Sequence, residues 1–103
     1  MIEGVVYSKV KLIMWYVYLL RCADNSLYGG ITTSLERRVI EHNECNKKGA
    51  KYTRVRRPVR LVYSEPQLNR QEASRREYQL KKLTKAKKEQ LVRTYTEMQE
   101  RKN

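Results

Sequence analysis

Every side chain from Leu12 to Leu20 is apolar or aromatic. The run is far short of the roughly 20 residues that span a bilayer. Its β-branched and aromatic content over Trp15–Arg21 predicts a buried strand. Ala23-Asp24-Asn25-Ser26 is turn chemistry, short polar side chains that bond their own backbone. Leu27–Thr32 then reads as the returning strand of a hairpin in which Tyr18 and Tyr28 face one another. Gly29-Gly30 inside it marks close backbone approach or a bulge.

Polar punctuation and apolar spacing then switch to the helical period. Thr33 followed by Glu36 is a capping-box pattern, predicting a helix from near Ser34 to near Cys45. Leu35 and Val39 form its apolar stripe, and Arg38 and His42, four apart, share a neighbouring face. Asn46–Arg57 is a polar, basic connection containing Gly49. Pro58 biases the residue before it toward extended geometry. Val59–Ser64 alternates, with Arg60, Val62 and Ser64 on one face and Val59, Leu61 and Tyr63 on the other, as in a half-buried third strand. Asn69 and Glu72 repeat the cap pattern and open a helix to about Leu83, with an apolar stripe of Ala73, Leu80 and Leu83. Glu77 lies within that stripe. Thr84 caps a final helix in which Leu91, Tyr95 and Met98 recur at i, i+4 and i+7. The expected layout is an N-terminal extension over 1–14, one domain over 15–98, and a frayed tail over 99–103.

Composition narrows the partners. The 103 residues carry 23 Lys+Arg against 11 Asp+Glu, a formal net charge of +12. That balance favours anionic partners, nucleic acid being the commonest. There are eight Tyr, one Trp and no Phe, so most aromatic surface carries a hydroxyl that needs a partner when buried. Two cysteines, Cys22 and Cys45, with no CxxC pair, suit a reducing cytoplasm better than a disulfide-stapled domain. His42, Cys45 and Cys22 match no standard zinc spacing and lack a fourth ligand. Arg21 sits where a signal peptide needs a small residue before its cleavage site. The expectation is a cytoplasmic protein with no membrane segment.

Two features point to chemistry. Glu77, on an apolar helical stripe, needs a partner, because an isolated buried carboxylate is expensive; a metal ion, an arginine or exposure by helix rotation would each satisfy it. The segment carrying Lys47, Lys48, Lys51, Arg54, Arg56, Arg57 and Arg60 contains no acid. Phosphate contacts from it would give affinity without sequence specificity, and Tyr52 could stack on a base.

The order of Tyr16-Val17-Tyr18, Tyr28-Gly29-Gly30, the Thr33–His42 segment and Arg76-Glu77-Tyr78 resembles the GIY-YIG nuclease superfamily. The stretch from about Trp15 to Leu83 resembles its small stand-alone bacterial members. The first tripeptide lacks the family's leading Gly, and Gly29 replaces a usual β-branched or small residue. The resemblance implies an α/β (α+β) fold, a small sandwich with a three-stranded antiparallel sheet flanked by helices. It implies Arg38 as the arginine on the scissile phosphate and Glu77 as the ligand of Mg²⁺ or Mn²⁺. Tyr28 is then the general base, supported through a hydrogen bond by Tyr18, and His42 stands where the family often has His or Tyr. The implied function is a metal-dependent endonuclease-type domain hydrolysing DNA phosphodiesters, in a setting of repair or recombination. DNA is expected over RNA, with a protein partner supplying any targeting. The alternative is a non-catalytic DNA- or RNA-binding module on the same scaffold.

Overall fold

A computed structural model describes residues 13–102. At its centre is strand β1 (Trp15–Arg21), flanked by β2 (Leu27–Thr32) and β3 (Arg60–Gln67) in an antiparallel sheet of order β2-β1-β3. Helices α1 (Leu35–Glu44) and α2 (Lys51–Arg54) lie between β2 and β3 in sequence; α3 (Arg70–Lys81) and α4 (Lys85–Lys102) follow β3. The expected three-stranded α+β sandwich is the fold observed. Of the expected 1–14 extension, residues 1–12 lie outside the described residues, and Ile13 and Met14 lead into β1.

Successive strand side chains point to opposite faces, and β1 is covered on both. Tyr18, Leu20 and Cys22 pack with Val59 and with Leu35 and Val39 of α1. Val17 packs with Ala73 and Leu80 of α3, while Leu19 packs with Val62 and with Val92 of α4. Two-sided burial is why this strand reads as an unbroken apolar run. Burying a side chain such as Leu80 stabilises the fold by about 2 kcal/mol.

The hairpin register pairs Tyr18 with Gly30 and Leu20 with Tyr28. Tyr18 and Tyr28 therefore share a face as diagonal neighbours and are not directly opposed, which corrects the expected pairing. The cause is the turn. Asn25 takes a left-handed φ of 71°, and Cys22 N–H donates to Ser26 O at 2.9 Å. Asp24 Oδ1 accepts from Ser26 N–H at 3.1 Å. This local bonding sets the register.

Other departures have equally local reasons. The cap of α1 is Ser34, accepting from Arg37 N–H at 3.3 Å, rather than Thr33. The basic connection contains the four-residue α2, too short to show a period. Strand β3 runs on through Pro66 to Gln67; among the described residues it pairs with β1 alone, and an edge strand tolerates proline. A bulge shifts the register, pairing Leu19 with Tyr63 but Leu20 with Leu61. It puts Val62 and Tyr63 together against Leu19 and Val92, breaking the expected alternation. Helix α3 starts at the Asn69 cap and ends at Lys81. Thr84 Oγ1 caps α4 at Lys87 N–H, 3.2 Å. That helix continues to Lys102, so the stretch expected to fray after Met98 is helical.

Two ion pairs fasten the helices to the sheet. Arg21 on β1 makes a bidentate pair with Glu89 on α4 at 2.5 and 2.6 Å. Arg76 on α3 donates to Glu65 on β3 at 2.8 Å.

Candidate active site

Tyr18 extends across Gly30. A Cβ at Gly30 would lie 2.4 Å from the Tyr18 hydroxyl and 2.6 Å from its Cζ, so only glycine leaves room for the phenol. That hydroxyl is 2.9 Å from His42 Nε2. The other ring nitrogen, Nδ1, is 2.8 Å from Thr53 Oγ1, and Thr53 Oγ1 donates to the Ala50 carbonyl at 3.0 Å. A hydroxyl has one proton. Since Thr53 gives its proton to Ala50, it accepts from His42 Nδ1–H, and Nε2 accepts from Tyr18. The assignment follows from the network.

His42 is fully buried, and burial, reinforced by the Arg38 and Arg57 charges, depresses its pKa to about 4. It is neutral at physiological pH. Burial raises the Tyr18 pKa to about 12, Arg38 opposes that rise, and the Glu77 charge adds to it. Tyr18 is thus a neutral phenol.

Tyr28 is fixed through its ring. One side meets the edge of His42, centroids 5.4 Å apart at 67°. The other stacks on Tyr52 at 5.7 Å and 21°. The Arg56 guanidinium caps the column, 3.8 Å from the Tyr52 ring centroid, and itself pairs with Asp24 at 3.0 Å. Tyr52 also donates to Ser26 Oγ at 2.9 Å. Its ring packs beside Tyr28 and under the Arg56 guanidinium while the residue stays exposed.

Arg38 donates from one nitrogen to Glu41 at 2.9 Å and to the Lys48 carbonyl at 2.6 Å. It is half-buried, and its charge reaches both Tyr18 and His42. Glu41 has its own pKa lowered, first by this bond.

Glu77 arrives from the other side of the sheet. It lines a shallow depression with Leu27, Gly29, Leu80 and Lys81. Its side chain is 23% exposed and sits 3.4 Å from Lys81 Nζ. Of the three ways expected to satisfy it, an internal arginine is not the one used: Ala73 and Leu80 are buried while Glu77 borders the depression beside β2. Its neighbour Arg76 is committed to Glu65, which also accepts from Tyr63 and from Gln67 Nε2 at 2.9 Å. Glu77 is left with a flexible lysine.

The donor set distinguishes among metals. Among the described residues no group of three or more His, Cys, Asp or Glu is placed to hold an ion. Cys22 is in the core, and both nitrogens of His42 are used, which removes the zinc combination. One accessible carboxylate fits a hard cation that keeps most of its waters and takes further oxygens from a phosphate, as Mg²⁺ and Mn²⁺ do. Glu77 is the residue that would hold it.

The basic segment divides. Arg57 donates to His42 O at 2.7 Å, Asn46 Oδ1 at 3.0 Å and Cys45 O at 3.2 Å. It is a C-terminal clamp for α1 rather than a free phosphate ligand. Arg54 donates to Asn46 O at 3.0 Å, and Arg56 is held as described. Lys47, Lys48 and Lys51 are exposed. Arg60, also exposed, lies on β3 in register with Arg21.

Thr53, Glu41 and Asn43 were not visible as site residues in the sequence. Asn43 bonds both backbone groups of Val59, at 2.8 and 2.9 Å, and so anchors α1 to the start of β3. Single Thr and Asn residues carry no pattern; only Asn43 fell at helical spacing after Leu35 and Val39.

Comparison with known proteins accords with this geometry. The chain is 54% identical over 79 residues to the UPF0213 protein of Desulfotalea psychrophila, covering 77% of this chain and 71% of that one. It is 56% identical over 79 residues to the UPF0213 protein of Clostridium perfringens, covering 77% and 83%. Among solved structures it is similar to a protein of E. faecalis, at 47% identity and a TM-score of 0.54, covering 81% of this chain and 86% of that one. It is also similar to the UPF0213 protein of Bacillus halodurans, at 48% identity and a TM-score of 0.50, covering 79% and 84%. Residues 14–90 match the model of the GIY-YIG catalytic domain, and the chain belongs to the GIY-YIG family.

Proposed function

We propose that this protein is a metal-dependent endonuclease-type hydrolase of nucleic-acid phosphodiesters, with DNA as substrate. The observation that carries the reading is the buried Tyr18–His42–Thr53 chain beside Tyr28 and Arg38. A neutral histidine and a phenol buried together, with every polar atom of the imidazole satisfied, is an arrangement whose burial must be offset. It is also one that orients a hydroxyl at a reacting centre.

The proposed roles are these. Tyr28, held by its ring between His42 and Tyr52, presents its hydroxyl as general base to the attacking water. Tyr18, whose proton is committed to His42, keeps oxygen lone pairs available to accept a hydrogen bond from that water or from the Tyr28 hydroxyl. Arg38 turns from Glu41 toward the scissile phosphate and stabilises the charge that grows on its oxygens. Glu77 would hold Mg²⁺ or Mn²⁺, whose chemistry when bound is to neutralise charge on the phosphate and the leaving oxygen. Two free thiols, Cys22 and Cys45, suit the cytoplasm, and among the described residues no helix is long and apolar enough to cross a membrane. Branched or damaged DNA is the expected substrate, in repair or recombination.

The test is a cleavage screen over single-stranded, duplex, flap and junction DNA with Mn²⁺. Cleavage that requires the cation and is lost in Glu77→Gln supports the proposal. Salt-sensitive binding of every substrate with cleavage of none overturns it in favour of a binding module.

A further inference from the structure

The depression at Glu77 continues along β2. Leu27 and Lys88, which line it, also line an adjoining groove of about 340 Å³ that reaches the hairpin turn at Asn25, with Lys85 on its wall. Together they form one trough from Glu77 to the tip of the hairpin. Leu27 lies in its floor, and Lys81, Lys88 and Lys85 stand on the side formed by α3 and α4.

The charges along it are unevenly satisfied. Lys85 is 2.9 Å from Glu89, which also holds Arg21. Among the described residues Lys81 has one ion-pair contact, 3.4 Å to Glu77. Among the described residues Lys88 has no ion pair with any carboxylate, yet it is half-buried. A lysine stem lying along an apolar floor holds its ammonium in one direction. Asp24, the acid at the far end, is neutralised by Arg56. Of the arginines in the Arg54–Arg57 segment, Arg56 is held by Asp24 and Arg57 by the end of α1, while Arg54 stays exposed with one bond to Asn46 O.

We propose that this trough binds the phosphate backbone of a nucleic-acid strand beside the Glu77 site, with Lys81 and Lys88 contacting phosphate oxygens. The hydrolase reading is needed only to say where the strand would be cut; strand binding here does not require cleavage. The chemistry is that of non-specific backbone recognition: ammonium groups as point charges beside an apolar floor.

The test compares Lys81→Gln/Lys88→Gln with Arg101→Gln/Lys102→Gln, at the opposite end of α4, in the full chain. Fluorescence anisotropy with labelled duplex DNA, in EDTA and across a salt series, reads affinity, and melting temperature confirms folding. The expected result is binding about tenfold weaker for the first pair, with a salt slope lower by about 2, and a change of no more than about twofold for the second. Wild-type affinity in folded Lys81→Gln/Lys88→Gln overturns the proposal, as does an equal loss in both pairs or no binding by the wild-type chain. A wild-type chain that binds through this trough without cleaving defeats the hydrolase reading and leaves the trough standing. Cleavage with binding indifferent to Lys81 and Lys88 does the reverse.

Discussion

Tyr18 occupies the space that a side chain on its cross-strand partner Gly30 would need. Both the hydroxyl and Cζ fall within the clash distance, so truncating the hydroxyl does not make room. Gly30→Ala is expected to push the whole ring away and break the bond to His42. Overpacking of this kind costs about 1–3 kcal/mol. Tyr18→Phe in the Gly30→Ala background should not restore the melting temperature, because the ring itself is in the way. Recovery in the double variant would show that the hydroxyl alone sets the requirement for glycine.

Tyr52 is a positioning residue for Tyr28. Removing its ring in Tyr52→Ala takes away the stacking partner of Tyr28 and leaves its contact with His42. The expected outcome is a kcat at least tenfold lower, with KM and DNA affinity nearly unchanged. Tyr52→Phe, which keeps the stack and loses only the bond to Ser26, should retain most of the rate. Equal loss in both variants would point to the hydroxyl instead.

Glu77→Gln separates chemistry from stability. Among the described residues its one ion pair is with an exposed lysine, and such pairs contribute about 0–1 kcal/mol. The variant should melt within a few degrees of wild type, bind Mn²⁺ more weakly and lose cleavage. A drop of ten degrees or more with cleavage per folded molecule intact would make Glu77 a structural residue.

Acid should destabilise the fold in two separate steps. His42 has a folded pKa of about 4 against an ordinary value of 6.5, so the unfolded chain takes up a proton that the folded chain refuses. Stability is complete above pH 6.5 and falls as pH drops toward 4, by up to about 3 kcal/mol. Glu89, whose pKa is lowered to about 2 first by its bond to Arg21, is protonated more easily unfolded than folded. Its contribution is present above pH 4.5 and is lost as pH falls toward 2. Urea midpoints across pH should show both windows, with the upper one absent in His42→Gln and the lower one absent in Glu89→Gln.

Arg57→Ala should behave as a stability variant. It removes the donor to two backbone carbonyls and one side-chain oxygen at the end of α1, a loss of about 1–3 kcal/mol. Duplex affinity per folded molecule should change less than it does in Lys81→Gln/Lys88→Gln, measured by the same anisotropy titration.

The strands, the order of helices and the cap at Asn69 were legible because each rests on local signals: a two-sided apolar run, a turn tetrapeptide, a polar cap before a helical period. The positions of Tyr18, Tyr28, Arg38, His42 and Glu77 were legible through the family pattern. What they bond to was not. That Arg57 faces inward, that Tyr52 stacks on Tyr28 and that Thr53 meets His42 all depend on how the segment after α1 folds back across the sheet. Residues 46–59 contain only a four-residue helix, so no period reports which side chains turn inward. The bulge in β3 was hidden for a similar reason, since one inserted residue leaves the composition of a strand unchanged.

The hydrogen-bond chain through His42 has a direction, and the direction can be reversed. With the imidazole neutral, Tyr18 points its proton inward and shows the site an acceptor. A proton placed on His42 Nε2 would meet the Tyr18 oxygen as a donor, and Tyr18 would have to turn its own proton outward. Thr53 could not relay the change further, because its hydrogen already belongs to Ala50. The chain therefore ends at Thr53, and one proton on a buried ring would convert Tyr18 from a group that receives into a group that gives.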